Sequence, residues 1–389
     1  MLGGVIGGYW SDRSGARRPL AAGVVLAVAT LLISAAAESV WQLAAGRFLD
    51  GLAAGMVAVS INAAIAQSYP AELRARMLSL MSAAWIVPSL AGPPLASLIV
   101  EVWSWRAVFY GLAALTAIPA LVLVYVLGRR PGSIGDKPPR PALLPAIAVS
   151  LGAALGQYAV SGRDWWHLAS GAVALALVVA FVRRLVPTGT WRAAPGLPAS
   201  VLLRGFASGS YFTLEAFVPL LMEVGRPVPT IIIGISFTGG ALAWAGASWL
   251  QAHPLAAVPR HRLVSAGASV MGLAVLVAGS ALIGPAWLAG AAYVLAAVGM
   301  GLLAPSLTLL ALGHAPADRQ GQASSAMQTT QNLGQITVMA VGSALFTIGS
   351  YPATFALLLV PVLGVFLLAG RTRAATPVPA PSPVASPSA

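Results

Sequence analysis

The sequence predicts an all-α protein that crosses a membrane many times, and three observations predict it. Only 8% of the residues are charged, whereas 58% are hydrophobic. Soluble domains carry about 25% charged residues, so this chain cannot cover a water-facing surface. Apolar stretches of about 20 residues recur along it, the length at which a helix crosses a hydrocarbon core of about 30 Å. The Arg and Lys residues between those stretches collect in every second connection, the pattern of a chain threaded back and forth through a bilayer.

Taken in order, residues 2–10 form a partial apolar segment, too short to span alone, that ends at the polar run SDRSGARR. The first full stretch is 19–37. The next, 41–66, carries Arg47 and Asp50. Stretch 78–100 contains Gly92-Pro93-Pro94, and 107–127 follows Trp105-Arg106. The pair 142–160 and 166–182 is set apart by a Pro/Gly-rich hydrophilic linker, 128–141, and by a second linker, 183–197. Stretch 198–222 carries Arg204 and Glu215. Then come 228–250, 263–283, 285–312, 324–348 and 350–370. The last 19 residues, 371–389, are mostly Pro, Ala and Ser; they cannot bury a core and read as a disordered tail.

Charge fixes orientation. One alternate set of connections holds 17 of the 22 basic residues, the other holds three (Arg106, Arg163, Arg226), and Arg47 and Arg204 lie within spans. The basic set is the cytoplasmic one. The net charge of +12 is therefore a topology signal, and it does not point to nucleic acid. There is no Cys, which excludes disulfides and thiolate chemistry. The four His at 167, 253, 261 and 314 have no metal-ligand spacing. No GxxxxGK[ST] phosphate loop and no nucleophile–base pair appears, so an ATP-driven pump and an enzyme are both disfavoured.

The opening stretch carries a sharper signal. Gly8-Tyr9-Trp10-Ser11-Asp12-Arg13-Ser14-Gly15-Ala16-Arg17-Arg18 resembles the turn between the second and third helices of the major facilitator superfamily. Trp10 stands where Leu is usual, and Ala16 where a base is. Gly15 lets a tight turn adopt φ > 0, and Asp12 sits among bases at a helix end, where an ion pair can form or break. Arg47-Phe48-Leu49-Asp50-Gly51 resembles the family's fourth-helix pattern, Arg-x-x-Gln-Gly. Pro88-x-x-x-Gly92-Pro93-Pro94-x-Ala96-Ser97 resembles the fifth-helix motif of drug/proton antiporters, and Trp105-Arg106-x-x-Phe109 the start of the sixth helix. The motifs cover residues 1–127. The resemblance implies two six-helix bundles, the first incomplete, with two extra central helices, as in the 14-helix antiporters, or twelve helices in all if 142–160 does not span. It places helix 1 and part of helix 2 before residue 1. The division is 1–127, linker 128–141, helices 142–182, linker 183–197, bundle 198–370 and tail 371–389.

Charge inside a bilayer costs about 2.5–3.5 kcal/mol per residue at a helix centre, so ionisable residues there are functional candidates. Arg47 and Asp50 lie three apart on one helix face and can pair; the pair is a proton switch or a static tie. Glu215 lies among Tyr211, Phe212 and Phe217, surroundings that suit an amphipathic cation, or it is a neutral acid bonded to a neighbouring helix. Arg204, nearer the basic end, is expected to snorkel to the surface. Gln328, Gln331, Asn332 and Gln335 make one polar stripe, lining a cavity or gluing helices. Pro88, Gly92, Pro93 and Pro94 must break the hydrogen-bond ladder of the fifth helix and so bend it.

Together these imply a secondary transporter of a bacterial cytoplasmic membrane, with a cytoplasmic C-terminus. It would export small amphipathic compounds against proton entry, with no cofactor besides the proton gradient and no metal. Asp50, Arg47 and Glu215 would couple the proton. Gly8, Asp12, Arg13, Gly15, Arg17 and Arg18 would form the cytoplasmic gate. Tyr211, Phe212 and the amide stripe would line the cavity. Its partners would be substrate, protons and lipid, with the chain a monomer. Proton-coupled metabolite transport, and a receptor or scaffold on the same fold, are the rival readings.

Overall fold

The computed structural model describes residues 1–84, 86–127, 142–160, 162 and 164–373; the linker 128–141, Arg163 and the tail 374–389 lie outside them. The helices are α1 (Leu2–Ser14), α2 (Arg17–Ala35), α3 (Val40–Ser68), α4 (Ala71–Ala84), α5 (Ile86–Val102) and α6 (Trp105–Leu127). They continue as α7 (Leu143–Ala159), α8 (Trp165–Phe181), α9 (Leu197–Leu220), α10 (Thr230–Ala252), α11 (Arg260–Ser280), α12 (Leu288–His314) and α13 (Gln320–Leu368). Among the described residues, eight helices are long and apolar enough to cross a bilayer. The last, α13, has 49 residues, about 74 Å if straight and more than two bilayer cores. Ser350 breaks it at φ 57°, ψ −155°, so the expected spans 324–348 and 350–370 are its two arms.

Helices α1 to α6 pack among themselves, chiefly α2 on α3 and α6, and α1 on α3. Helices α9 to α13 do likewise around a large core built by α9, α11, α12 and α13. Two seams join the groups: α1 against α13, and α4 with α5 against α10. The hairpin α7–α8 lies beside the first seam, where Val149, Val182 and Leu333 bury together against Met1. The α1–α13 seam depends on close backbone approach. A Cβ on Gly8 would sit 2.6 Å from the Gly321 carbonyl oxygen, so any larger residue there forces the helices apart.

Two expected features take a definite form. The chain is helical from Ile86 to Val102, straight through Pro88, Gly92, Pro93 and Pro94. Proline removes a donor, but its fixed φ of about −65° is itself helical, so the motif does not end the helix. The side chains of Pro93 and Pro94 lie outside the described residues. Residues 183–197, expected as a linker, are tightly folded. Thr190 is fully buried, the Gly196 N–H donates to the Arg371 carbonyl at 2.8 Å, and Arg371 Nη1 donates to the Arg192 carbonyl at 3.1 Å. These bonds clasp the start of α9 to the end of the chain's last helical turn.

Where proline does leave a carbonyl without its helical donor, a neighbour replaces it. Pro305 of α12 has no N–H for the Gly301 carbonyl four residues earlier. Gln251 Nε2 donates to that oxygen at 2.8 Å and Ser248 Oγ at 3.1 Å, both from α10. Gln251 is buried, and its Oε1 accepts from Ser306 Oγ at 2.8 Å. Without water in the bilayer such groups have only protein partners. Gln251→Ala should therefore lower stability by about 1–3 kcal/mol, the cost of stranded polar groups. The loss should be smaller in a Pro305→Ala background, which restores the helical donor. Thermal unfolding of the four proteins in detergent measures both.

Candidate functional site

At the basic end of the molecule one carboxylate bonds the two helix groups together. Asp12, at the end of α1, is 7% exposed. It makes no ion pair with the neighbouring arginines. Instead the Gly321 N–H donates to its Oδ1 at 2.6 Å and the Gln322 N–H to its Oδ2 at 2.8 Å. These are first-turn amides of α13, which have no partner within their own helix, and the positive end of the helix dipole favours an anion there. The sequence reading missed this because the partner lies 309 residues away and is backbone. The turn that aims Asp12 is as expected: Gly15 has φ 81°. Gln67 of α3 holds it, accepting from the Ala16 N–H at 3.0 Å and donating to the Ser11 carbonyl at 3.4 Å. Arg13 Nη1 donates to Tyr9 Oη at 3.2 Å. Arg17 is half-buried and Arg18 exposed. A cavity of about 400 Å³ opens beside this turn, lined by Ile6, Tyr9, Trp10, Arg13, Ser14 and Arg18.

Arg47 and Asp50 pair as their spacing predicts, with Nη2 to Oδ2 at 2.9 Å. Asp50 is the more enclosed partner. The Thr30 hydroxyl of α2 lies 3.4 Å from Asp50 Oδ1, and the Arg47 guanidinium lies 5.8 Å from the Phe109 ring centre of α6. The pair thus spans three helices of the first group, away from Glu215.

The interior of the second group holds the other two charges. On α9, Arg204, Tyr211 and Glu215 follow at intervals of seven and four residues, which keeps them on one face. Glu215 is half-buried, and its Oε1 accepts from Tyr293 Oη of α12 at 3.0 Å. The Tyr211 hydroxyl in turn lies 3.4 Å from Tyr293 Oη. Around this chain Tyr211 meets Phe212 and Trp244 edge-on at 5.2 and 5.1 Å, and Phe237 lies 4.8 Å from Tyr293. Phe217 turns away and packs on Phe346. Trp244, Phe237 and Tyr293 were not singled out from the sequence; each is an aromatic residue among small and aliphatic ones, Phe237 and Trp244 in α10 and Tyr293 in α12. Four residues past Glu215, Pro219 removes the helical donor of the Glu215 carbonyl, and α9 then loosens into a π turn at Leu221–Gly225.

Arg204 does not snorkel. Its Nε and Nη2 donate to Gln331 Oε1 at 3.0 and 2.8 Å, and its Nη1 to the Ala304 carbonyl at 2.9 Å. Snorkelling was judged along α9 alone; the acceptors on α12 and α13 hold the side chain inside. The amide stripe therefore divides. Gln331 faces Arg204, while Gln328 Nε2 donates to Asn332 Oδ1 at 3.0 Å near Gly4 of α1. Gln328, Gln331, Asn332 and Gln335 are all half-buried. Among the described residues no three His, Asp or Glu side chains come together as a metal site would need.

The chain has no Cys, so a single Gln328→Cys reports access to the seam. Asp12→Ala should raise its labelling by a soluble maleimide from the basic side several-fold; Asp12→Asn, which keeps acceptor oxygen but loses charge, should fall between.

The Major Facilitator Superfamily model matches residues 1–339. The probable multidrug-efflux transporter Rv1634 of Mycobacterium tuberculosis is 31% identical over 371 residues, covering 86% of this chain and 74% of the relative. The multidrug resistance protein MdtL of Salmonella paratyphi B is 27% identical over 225 residues, 57% of this chain and 51% of its own. Among solved structures, the proton:xylose symporter XylE has a TM-score of 0.68 at 18% identity, covering 95% of this chain and 82% of its own. The human organic anion transporter MFSD10 has a TM-score of 0.67 at 18% identity, covering 95% and 80%. The family model and these relatives are of transporters, not enzymes, which places a small-molecule substrate and a membrane around this helical fold. The chain belongs to the major facilitator superfamily.

Proposed function

We propose that the chain exports small amphipathic organic compounds in exchange for protons, from the cytoplasm of a bacterium, by alternating access. One observation carries the reading. Glu215 is a carboxyl group inside the second bundle, with one phenolic donor, no basic partner among the described residues and an aromatic surround. Such a group holds a proton or faces a cation. Aromatic faces add cation–π attraction for the same ligand. Proton and cationic substrate then compete for one site, which is the logic of antiport. The named relatives in M. tuberculosis and Salmonella are described as multidrug proteins, which supports export and a broad substrate class.

The bundles 1–127 and 198–370 rock about this interior, with 142–182 beside the first seam and the basic end, like the tail, cytoplasmic. The Asp12 contact belongs to the conformer closed on that side. A proton on Glu215 shifts the equilibrium only as far as it binds the two conformers unequally. Asp50 is the second proton site: when Arg47 leaves it, ionisation loses its neutralising partner. The transporter works as a monomer and draws on the proton gradient, with no cofactor.

The test is proton flux. In inverted vesicles with an imposed pH difference, lipophilic cations and neutral drugs are added while a pH probe is followed. Compound-dependent proton release should appear, fall at least tenfold in Glu215→Gln and be reduced in Asp50→Asn. A flat response across the compounds, from protein that is folded and inserted, overturns export by proton exchange.

A further inference from the structure

Arg204 is a charge without a counter-charge. The ion pairs among the described residues are Arg47–Asp50, Asp164–His167 and Asp318–Arg319; none involves Arg204. Its three hydrogen bonds end on an amide oxygen and a backbone carbonyl, which are neutral. Glu215 lies eleven residues on along the same face, about 16 Å away, too far to neutralise it. A buried cation is tolerated inside a membrane protein when an anion or a ring of oxygens answers it. Here the oxygens fix the orientation of the guanidinium and leave its charge unanswered.

The position is not sealed. Arg204 is half-buried, and so are Gln331 and its stripe-mates Gln328, Asn332 and Gln335. Gln331 holds two N–H groups through one oxygen and Ala304 a third, so one N–H of Nη1 and one of Nη2 have no partner among the described residues. Tyr211 lies seven residues further on the same face, about 10 Å along the helix, and opens the aromatic cluster with Phe212 and Trp244.

We infer that Arg204 is the anion-binding end of a second ligand subsite, which takes the carboxylate or sulfonate of an amphipathic organic anion whose apolar body lies toward Tyr211. A planar guanidinium already held by Gln331 presents paired donors to such a group, and lysine would not. Amphipathic anions join cations as ligands of the same bundle, bound at opposite ends of the α9 stripe. This inference rests on the chain being a transporter and not on proton coupling at Glu215.

The experiment uses the purified chain in lipid nanodiscs and fluorescein, an aromatic carboxylate, followed by fluorescence anisotropy. Saturable binding is expected, weakened at least tenfold in Arg204→Gln and weakened less in Arg204→Lys. An unchanged helical circular-dichroism spectrum and a single size-exclusion peak report that each variant is folded. A measurement on the unsubstituted chain stands beside these: 4-octylbenzoate should displace fluorescein, and its neutral methyl ester should do so at least tenfold less well. Absence of saturable fluorescein binding, equal binding by Arg204→Gln, or equal displacement by acid and ester each overturns the inference. Proton exchange can fail its own test while these results hold, and the reverse.

Discussion

The carboxylate of Asp12 on the first turn of α13 is the hydrogen-bonded tie between the two helix groups. Among the described residues, its two bonds are the only hydrogen bonds between residues 1–127 and residues 197–373. Everything else at that seam is close packing, and close packing of small residues holds two helices only while they stay in register. The strength of the tie matters as much as its place. An anion at a helix N-terminus contributes up to about 2 kcal/mol in a partly buried setting. That biases a two-state equilibrium by roughly 30-fold, since about 1.4 kcal/mol is a factor of ten. A contact of this size holds one conformer without locking it, as a transporter that must open needs.

The same physics places the chain's other scarce charges. Arg106 Nη2 donates at 2.8 Å to the Ala37 carbonyl beyond the end of α2. Arg226 Nη1 reaches the Ala281, Leu282 and Gly284 carbonyls beyond α11. Arg74 does so for Ala66 and Tyr69 at the end of α3. Cations answer the negative ends of helices as Asp12 answers a positive one. Two of the three bases that break the charge asymmetry between the connections are therefore helix caps. Their presence on the sparsely charged face follows from orphan carbonyls and leaves the topology argument intact.

The helices were legible because each is set by a local property, the length and apolarity of a single stretch. The expected spans 19–37, 41–66 and 107–127 differ from α2, α3 and α6 by only a few residues. The Arg47–Asp50 pair was legible for the same reason: both partners ride one helix turn. Two contacts decided between helices were misread. Arg204 was misjudged because its acceptors lie 100 and 127 residues away. Asp12 was assigned to nearby arginines because sequence proximity was the only proximity visible. The proline motif at 88–94 lies within a continuous helix, since proline opposes a helix by its missing donor while favouring its dihedral angles. Departures from α geometry come at Ser350 and in the π turn after Pro219.

One helix touches both places. The first arm of α13 presents Gly321 and Gln322 to Asp12 and, ten residues later, Gln331 to Arg204. It lies against α9 through Gly205 and Gly334, where backbone meets backbone with no room for a Cβ. Interfaces packed that tightly do not deform gradually; they shift between discrete arrangements. A change of charge or occupancy on the α9 stripe that moves α9 therefore moves the arm of α13 as a body. The far end of that body is the pair of amides that Asp12 holds. Coupling between the interior of the second bundle and the closed end of the molecule needs no chain of side chains, only a rigid arm with a weak electrostatic latch at its tip.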